Sequence, residues 1–191
     1  RSGEYEQIIN EGMLARYVPP KWSSLFRYIT KEDFAEARIV VDPPGRYRQK
    51  GITSWKEVFE KGIPCEDISN TNYMSHVEDK YGRDYKTGIT HKGTVSAFIS
   101  CAPNIGSIRM LMEEDSRTDD EAYVIELKPR GLHYVDASSS GATRNLTGLW
   151  EAMENEKTAV GLIDSRDIIN ISIFQKGKFI KKYDNPKFIR G

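Results

Sequence analysis

Glu154-Asn155-Glu156-Lys157-Thr158-Ala159-Val160-Gly161 is the stretch on which the reading of this chain turns. From Thr158 to Ile163 the residues are mostly β-branched or small and apolar, the composition of a strand or strand edge. In extended backbone residues i and i+2 share a face, so Glu154 and Glu156 point into one cleft. Two like charges on one face repel unless something uses them. Alone, the pair also fits a solvated helix continuing from Leu146 to Met153, so its meaning depends on what the rest of the chain places beside it.

Upstream, three more polar residues stand where strand burial favours apolar ones. Arg27 lies inside Leu25-Phe26-Arg27-Tyr28, and His76 follows Asn72-Tyr73-Met74-Ser75. Ser96 lies inside Gly93-Thr94-Val95-Ser96-Ala97-Phe98-Ile99-Ser100. Around them the pattern alternates short strands with single helices. Residues 1–22 carry Tyr5, Ile8, Ile9, Met13 and Leu14 on one helical face and end at Pro19-Pro20. Ser23 to Tyr28 is a strand, and the Pro- and Gly-containing segment 42–51 is a loop. Ser54 caps a helix through Trp55, Val58 and Phe59 that Gly62 and Pro64 end. Thr94 to Ser100 reads as a strand, Ile105 to Glu114 as a helix, Ala122 to Leu127 and Leu132 to Val135 as strands, and Ile168 to Phe174 as a further strand. Ser138 to Asn145 is a loop by composition. This order predicts one α+β domain.

Composition is that of an ordinary globular protein, with 191 residues, 38% hydrophobic and 29% charged. The 28 basic and 28 acidic residues cancel, so no global field draws in nucleic acid. Lys176 to Lys187 is locally basic and reads as an edge strand guarded by lysines. No stretch approaches the ~20 apolar residues of a membrane helix, so no membrane insertion is expected. The N-terminus lacks the order of a signal peptide, and residue 1 is not Met, which suits an excised or processed segment. Cys65 and Cys101 lack zinc-site spacing and read as free thiols, and no metal is expected. His91 and His133 fall in no motif and read as surface residues. A glycine-rich dinucleotide turn and a phosphate-binding loop are both missing, which counts against a doubly wound fold.

In this order the motifs resemble the arginine-specific bacterial ADP-ribosyltransferase toxins, the group of cholera toxin and heat-labile enterotoxin, with pertussis toxin more distant. Leu25-Phe26-Arg27-Tyr28 is similar to the aromatic-Arg strand that opens the family's fold, and Trp55 to Ile63 to the short helix after it. Tyr73 to His76 is similar to the histidine segment, Gly93 to Ser100 to the Ser-Thr-Ser strand, and Glu154 to Ile163 to the Glu-X-Glu strand. The resemblance covers roughly residues 23 to 175. It departs at an insertion over 29–54, and at Ala97 and Phe98, which stand where the family has threonine and its second serine.

The helical spacing of residues 1–22, which lie outside the resemblance, gives an N-terminal extension, and the resemblance implies a catalytic domain over 23–191. It also implies two small, roughly perpendicular antiparallel sheets with flanking helices that form an NAD cleft. NAD enters as substrate. Breaking the bond from ribose to nicotinamide develops positive charge on the ribose, and a carboxylate fixed beneath stabilises it. The family's motif gives that role to Glu156. Glu154 would orient and help deprotonate an incoming guanidinium, which implies arginine as acceptor. Ser96 would hold Glu156, Arg27 would clamp the pyrophosphate or its ribose side, and His76 would contact the adenosine end. Arg144 and Trp150, ahead of the glutamates, would recognise the target. The partner implied is a protein of a host or competitor cell, reached by secretion or injection, with an immunity protein or a delivery partner alongside. Three alternatives stand beside this: transfer to a nucleic acid, simple NAD hydrolysis, and a non-catalytic binding module.

Overall fold

The computed structural model describes residues 2–21, 23–30, 55–65, 68, 71, 73, 96–114, 121–131, 133–136 and 156–188. The expected loops at 42–51 and 138–145, the helix over 146–153 and His91 lie outside the described residues, as does all of the 29–54 insertion beyond Thr30. The elements are helix α1 (Ser2–Glu11), strand β1 (Leu25–Thr30), helix α2 (Trp55–Lys61), β2 (Ile63–Pro64), β3 (Phe98–Cys101) and helix α3 (Ile105–Glu114). There follow β4 (Glu121–Leu127), β5 (Tyr134–Asp136), β6 (Lys157–Val160), β7 (Leu162–Ile163), the 3-10 turn Ser165–Asp167, β8 (Ile168–Gln175) and β9 (Lys178–Asp184).

Among the described residues all pairing is antiparallel and falls into a four-stranded sheet β1-β4-β8-β9, a three-stranded sheet β3-β6-β5 and the small pair β2-β7. The two larger sheets are joined where Phe26 and Ala102 exchange both backbone hydrogen bonds at 2.8 Å. Mixed helices and antiparallel sheets bear out the α+β expectation. β9 is an edge strand with every residue but Tyr183 exposed, as the lysine run predicts.

The core follows from alternation. On β1, Leu25 and Ile29 turn inward onto Ile125, Leu127, Ile168 and Ile171, while Phe26 and Tyr28 turn outward onto Ile105 and Ile108 of α3. Asn104 caps α3, its Oδ1 accepting from the Gly106 backbone N–H at 2.8 Å. Trp55 of α2 stacks on Tyr183 of β9 at 4.7 Å between ring centres. Both cysteines are buried and neither forms a disulfide. Among the described residues no helix is long and apolar enough to cross a membrane.

A second core cluster is built by the N-terminal segment. Tyr5, Ile8, Ile9 and Leu14 pack with Tyr73, Ala97, Phe98, Val135 and Val160. Beyond the helix the chain runs along β5. The Asp136 N–H donates to Ala15 O at 2.8 Å and the Tyr17 N–H to Tyr134 O at 2.9 Å. The described part of the segment expected as an extension, residues 2–21, thus lends apolar side chains and sheet-edge backbone to the same body as the strands. His133, expected at the surface, is half-buried, with Nε2 2.8 Å from Leu162 O and its ring against Tyr5 and Tyr134. Its expected exposure is corrected by the arrival of α1, which covers it.

Gly161 divides the strand expected over 158–163. Its φ of 82° ends β6 and turns the chain from pairing with β3 to pairing with β2 through β7. Its N–H donates to Ala97 O at 2.7 Å and its carbonyl accepts from Cys65 N at 2.9 Å.

One titratable cluster sits below this turn, where Glu6, Arg130, His133, Asp164, Arg166 and Asp167 line a cavity of about 400 Å³. Burial, reinforced by the Asp164 charge and opposed by Arg130 and Arg166, pushes the Asp167 carboxyl up to about 6. The unfolded chain ionises this group near 3.8. Folding therefore favours the protonated form, and the stability it contributes is full below about 4 and lost as pH rises through about 6. His133 acts oppositely: burial lowers its pKa, so its contribution is present above 6.5 and lost as pH falls below that value. Thermal unfolding of wild type and Asp167→Asn across pH 4 to 7 separates the two. The difference in Tm between them is expected to move against wild type as pH rises from about 4 to about 6; a difference that stays constant with pH would refute it.

Candidate active site

Arg27 occupies the inward face of β1 between Leu25 and Ile29, a position whose neighbours are fully buried and apolar. It reaches across the junction of the two sheets, and its NH1 donates to the Ser100 carbonyl oxygen on β3 at 2.7 Å. Its Nε is buried and has no hydrogen-bond partner among the described residues. A buried donor left unsatisfied costs about 1–3 kcal/mol, which an anionic ligand at this spot would relieve.

On the neighbouring strand Ser100 pairs directly with Thr158, so their side chains lie on the same face. Glu156 precedes β6 on that face and is 2% exposed. The Thr158 hydroxyl donates to Glu156 Oε1 at 3.5 Å, and the Tyr73 hydroxyl lies 3.4 Å from Thr158 Oγ1. The next residue, Lys157, turns to the opposite face. There Asp136, directly opposed on β5, holds its Nζ at 2.8 Å, and the Tyr17 ring lies beneath it at 5.1 Å. The start of β6 is therefore pinned from both faces, and the Glu156 carboxylate is held at the line where the two sheets meet.

Of the expected site residues, the structure brings Arg27 and Glu156 to this junction. It does not bring Ser96. Pairing of β3 with β6 runs from Phe98 opposite Val160 to Cys101 opposite Lys157, so Glu156 falls opposite Ala102, while Ser96 lies off the other end. The Ser96 oxygen is buried and accepts from the Phe98 N–H at 3.2 Å, closing a turn before the strand. The β3 hydroxyl on that face nearest to Glu156 along the register is that of Ser100, directly opposite Thr158. Glu154, His76, Arg144 and Trp150 lie outside the described residues. Sequence reasoning missed Ser100, Thr158 and Tyr73. Ser100 shares strand parity with Ser96, so alternation alone could not choose between them. Thr158 could have been found, as it is one strand period from Glu156 and hydroxyl-bearing.

The donor set suits NAD: an arginine with a buried unmet N–H for phosphate oxygens, and a buried carboxylate for a ribose that becomes cationic.

No family model matches the sequence, and no curated protein does. Solved structures do match. The catalytic domain of the mosquitocidal toxin from Bacillus sphaericus superposes with a TM-score of 0.58 at 14% identity, covering 97% of this chain and 72% of the other. EcPltA gives 0.55 at 15% identity and 91% of both chains. Scabin toxin from Streptomyces scabies, solved in complex with NADH, gives 0.52 at 14% identity, covering 88% of this chain and 76% of the other. A guanine-specific ADP-ribosyltransferase gives 0.52 at 12% identity, with 93% and 84% covered. With its strands in this order and its arginine and glutamate at the sheet junction, the chain has the fold of the bacterial ADP-ribosyltransferase toxins.

Proposed function

We propose that this protein is an NAD-dependent mono-ADP-ribosyltransferase that modifies an arginine of a target protein and releases nicotinamide. The observation that carries the reading is the buried Glu156 carboxylate at the sheet junction, one strand from the carbonyl that Arg27 grips. As the bond from ribose to nicotinamide breaks, its electron pair leaves with nicotinamide, and Glu156 stabilises the positive charge left on the ribose. Arg27 takes the pyrophosphate with its unmet Nε. Ser100, not Ser96, supplies the hydroxyl that steadies Glu156, because strand register puts it on that side. A guanidinium nitrogen then bonds to the anomeric carbon while Glu154 takes its proton. His76 contacts the adenosine end, and Arg144 and Trp150 meet the target. The protein acts as a secreted or injected bacterial toxin inside a target cell, with an immunity or delivery partner.

A second reading is transfer to a nucleic-acid base, favoured by the match to a guanine-specific ADP-ribosyltransferase over 93% of this chain. The net charge of zero weighs against it. Incubating the purified chain with NAD labelled in the adenylate moiety and a cell lysate separates the readings. Label in protein that hydroxylamine removes supports arginine transfer, and label in RNA or DNA supports the base. Free labelled ADP-ribose alone indicates hydrolysis, and intact NAD indicates a binding module and overturns the enzymatic reading.

A further inference from the structure

We infer that Tyr73 and Thr158 form a buried hydroxyl relay that positions the Glu156 carboxylate, and that the N-terminal helix holds the relay in place. The inference rests on the reading of Glu156 as the catalytic carboxylate. Three nearly solvent-free groups stand in line: Tyr73 is 4% exposed, Thr158 0% and Glu156 2%. The Thr158 hydroxyl has a single proton. Donating it to Glu156 Oε1 at 3.5 Å leaves its oxygen to accept from the Tyr73 O–H at 3.4 Å, so the relay has one direction. Hydrogen bonds in a chain polarise one another, and a buried charge makes such donors count for more.

The far end is fixed by packing. The Tyr73 ring meets Phe98 edge-on at 5.0 Å between ring centres, and both lie in the cluster built by Tyr5, Ile8, Ile9 and Leu14. Tyr5 is packed over Gly161, at the end of the strand that Glu156 begins. The N-terminal segment therefore reaches the relay through this cluster. Tyr73 and Thr158 are positioning residues: they act through Glu156.

The test uses the whole chain carrying Thr158→Val, Tyr73→Phe, both together, and Thr158→Ser. Nicotinamide release gives kcat and KM for NAD. Glutamate labelled with ¹³C at the side-chain carboxylate, with the Glu156 signal identified by its loss in Glu156→Gln, gives a readout that needs no activity. Thr158→Val is expected to lower kcat about tenfold with KM within about twofold, the scale of one hydrogen bond to a charged group. Tyr73→Phe is expected to lower kcat about threefold, and the double variant to be no worse than Thr158→Val, because a broken relay cannot be broken twice. Thr158→Ser restores the hydroxyl and is expected within about twofold of wild type. The Glu156 carboxylate signal moves in Thr158→Val and Tyr73→Phe and returns in Thr158→Ser. An unmoved signal in both single variants overturns the relay whether or not the chain turns over NAD. A moved signal in a chain that leaves NAD intact keeps the relay and overturns the catalytic reading.

Discussion

Replacing Glu156 by glutamine is expected to lower nicotinamide release from NAD by roughly a thousandfold while leaving the fold intact. Gln has the shape of Glu and still accepts from the Thr158 hydroxyl, so the contact at Oε1 survives. What is lost is the negative charge, and its value is large because the group is 2% exposed and sits where water screens little. Preorganised charge opposite a developing cation is among the largest contributions an active site makes, on the order of 3–4 kcal/mol for one group. The KM for NAD is expected to change much less than kcat, since the ribose is neutral until the bond breaks. Removing a buried charge also relieves desolvation, so Tm is expected to hold or rise. Steady-state nicotinamide release and a melting curve on the same preparations check both halves. A Glu156→Gln protein retaining more than about a tenth of wild-type kcat would place the catalytic carboxylate elsewhere.

Gly161→Ala is expected to be strongly destabilising. The residue holds φ at 82°, a left-handed conformation that costs an alanine about 1–2 kcal/mol. A Cβ here would also run into the Tyr5 ring. That ring cannot swing aside freely, being 7% exposed and packed against His133 at 5.6 Å between ring centres. Overpacking of this kind adds about 1–3 kcal/mol, and the sum lowers Tm by about 10 °C for a chain of this size. Since Gly161 ends β6, activity is expected to fall more steeply than stability as the start of that strand shifts Glu156. Combining Gly161→Ala with Tyr5→Ala tests the cause. Tyr5→Ala alone loses a buried aromatic ring, yet the double variant is expected to cost less than the two singles together by more than about 1 kcal/mol. Strict additivity would mean that the backbone conformation, not the clash with Tyr5, carries the effect.

How much was legible beforehand follows the range over which each interaction acts. Helix α3 spans Ile105 to Glu114, as its apolar spacing predicts, because its period and its Asn104 cap are local. The same holds for β8, a run of branched residues, and for α2, which stops at Gly62 with φ 72°. Errors arose where a neighbour decides. Of the strand expected over Thr94 to Ser100, Thr94 and Val95 lie outside the described residues, and the described part forms β3 over Phe98–Cys101, one residue past the expected end, where Cys101 still pairs with Lys157. Residues 1–22 show helical periodicity, but nothing in that spacing says that the helix lies across Gly161.

Local chemistry made this an α+β chain, and the order of Arg27, His76, Ser96, Glu154 and Glu156, with the family resemblance that order carries, singled out Arg27 and Glu156. Which serine stands beside that glutamate was a question of a different kind. Ser96 and Ser100 have the same parity and both belong to a strand-like run, so side-chain alternation treats them alike. Only antiparallel register, set by the pairing of Ser100 with Thr158 and by the junction of Phe26 with Ala102, places one of them at the cleft and leaves the other in a turn.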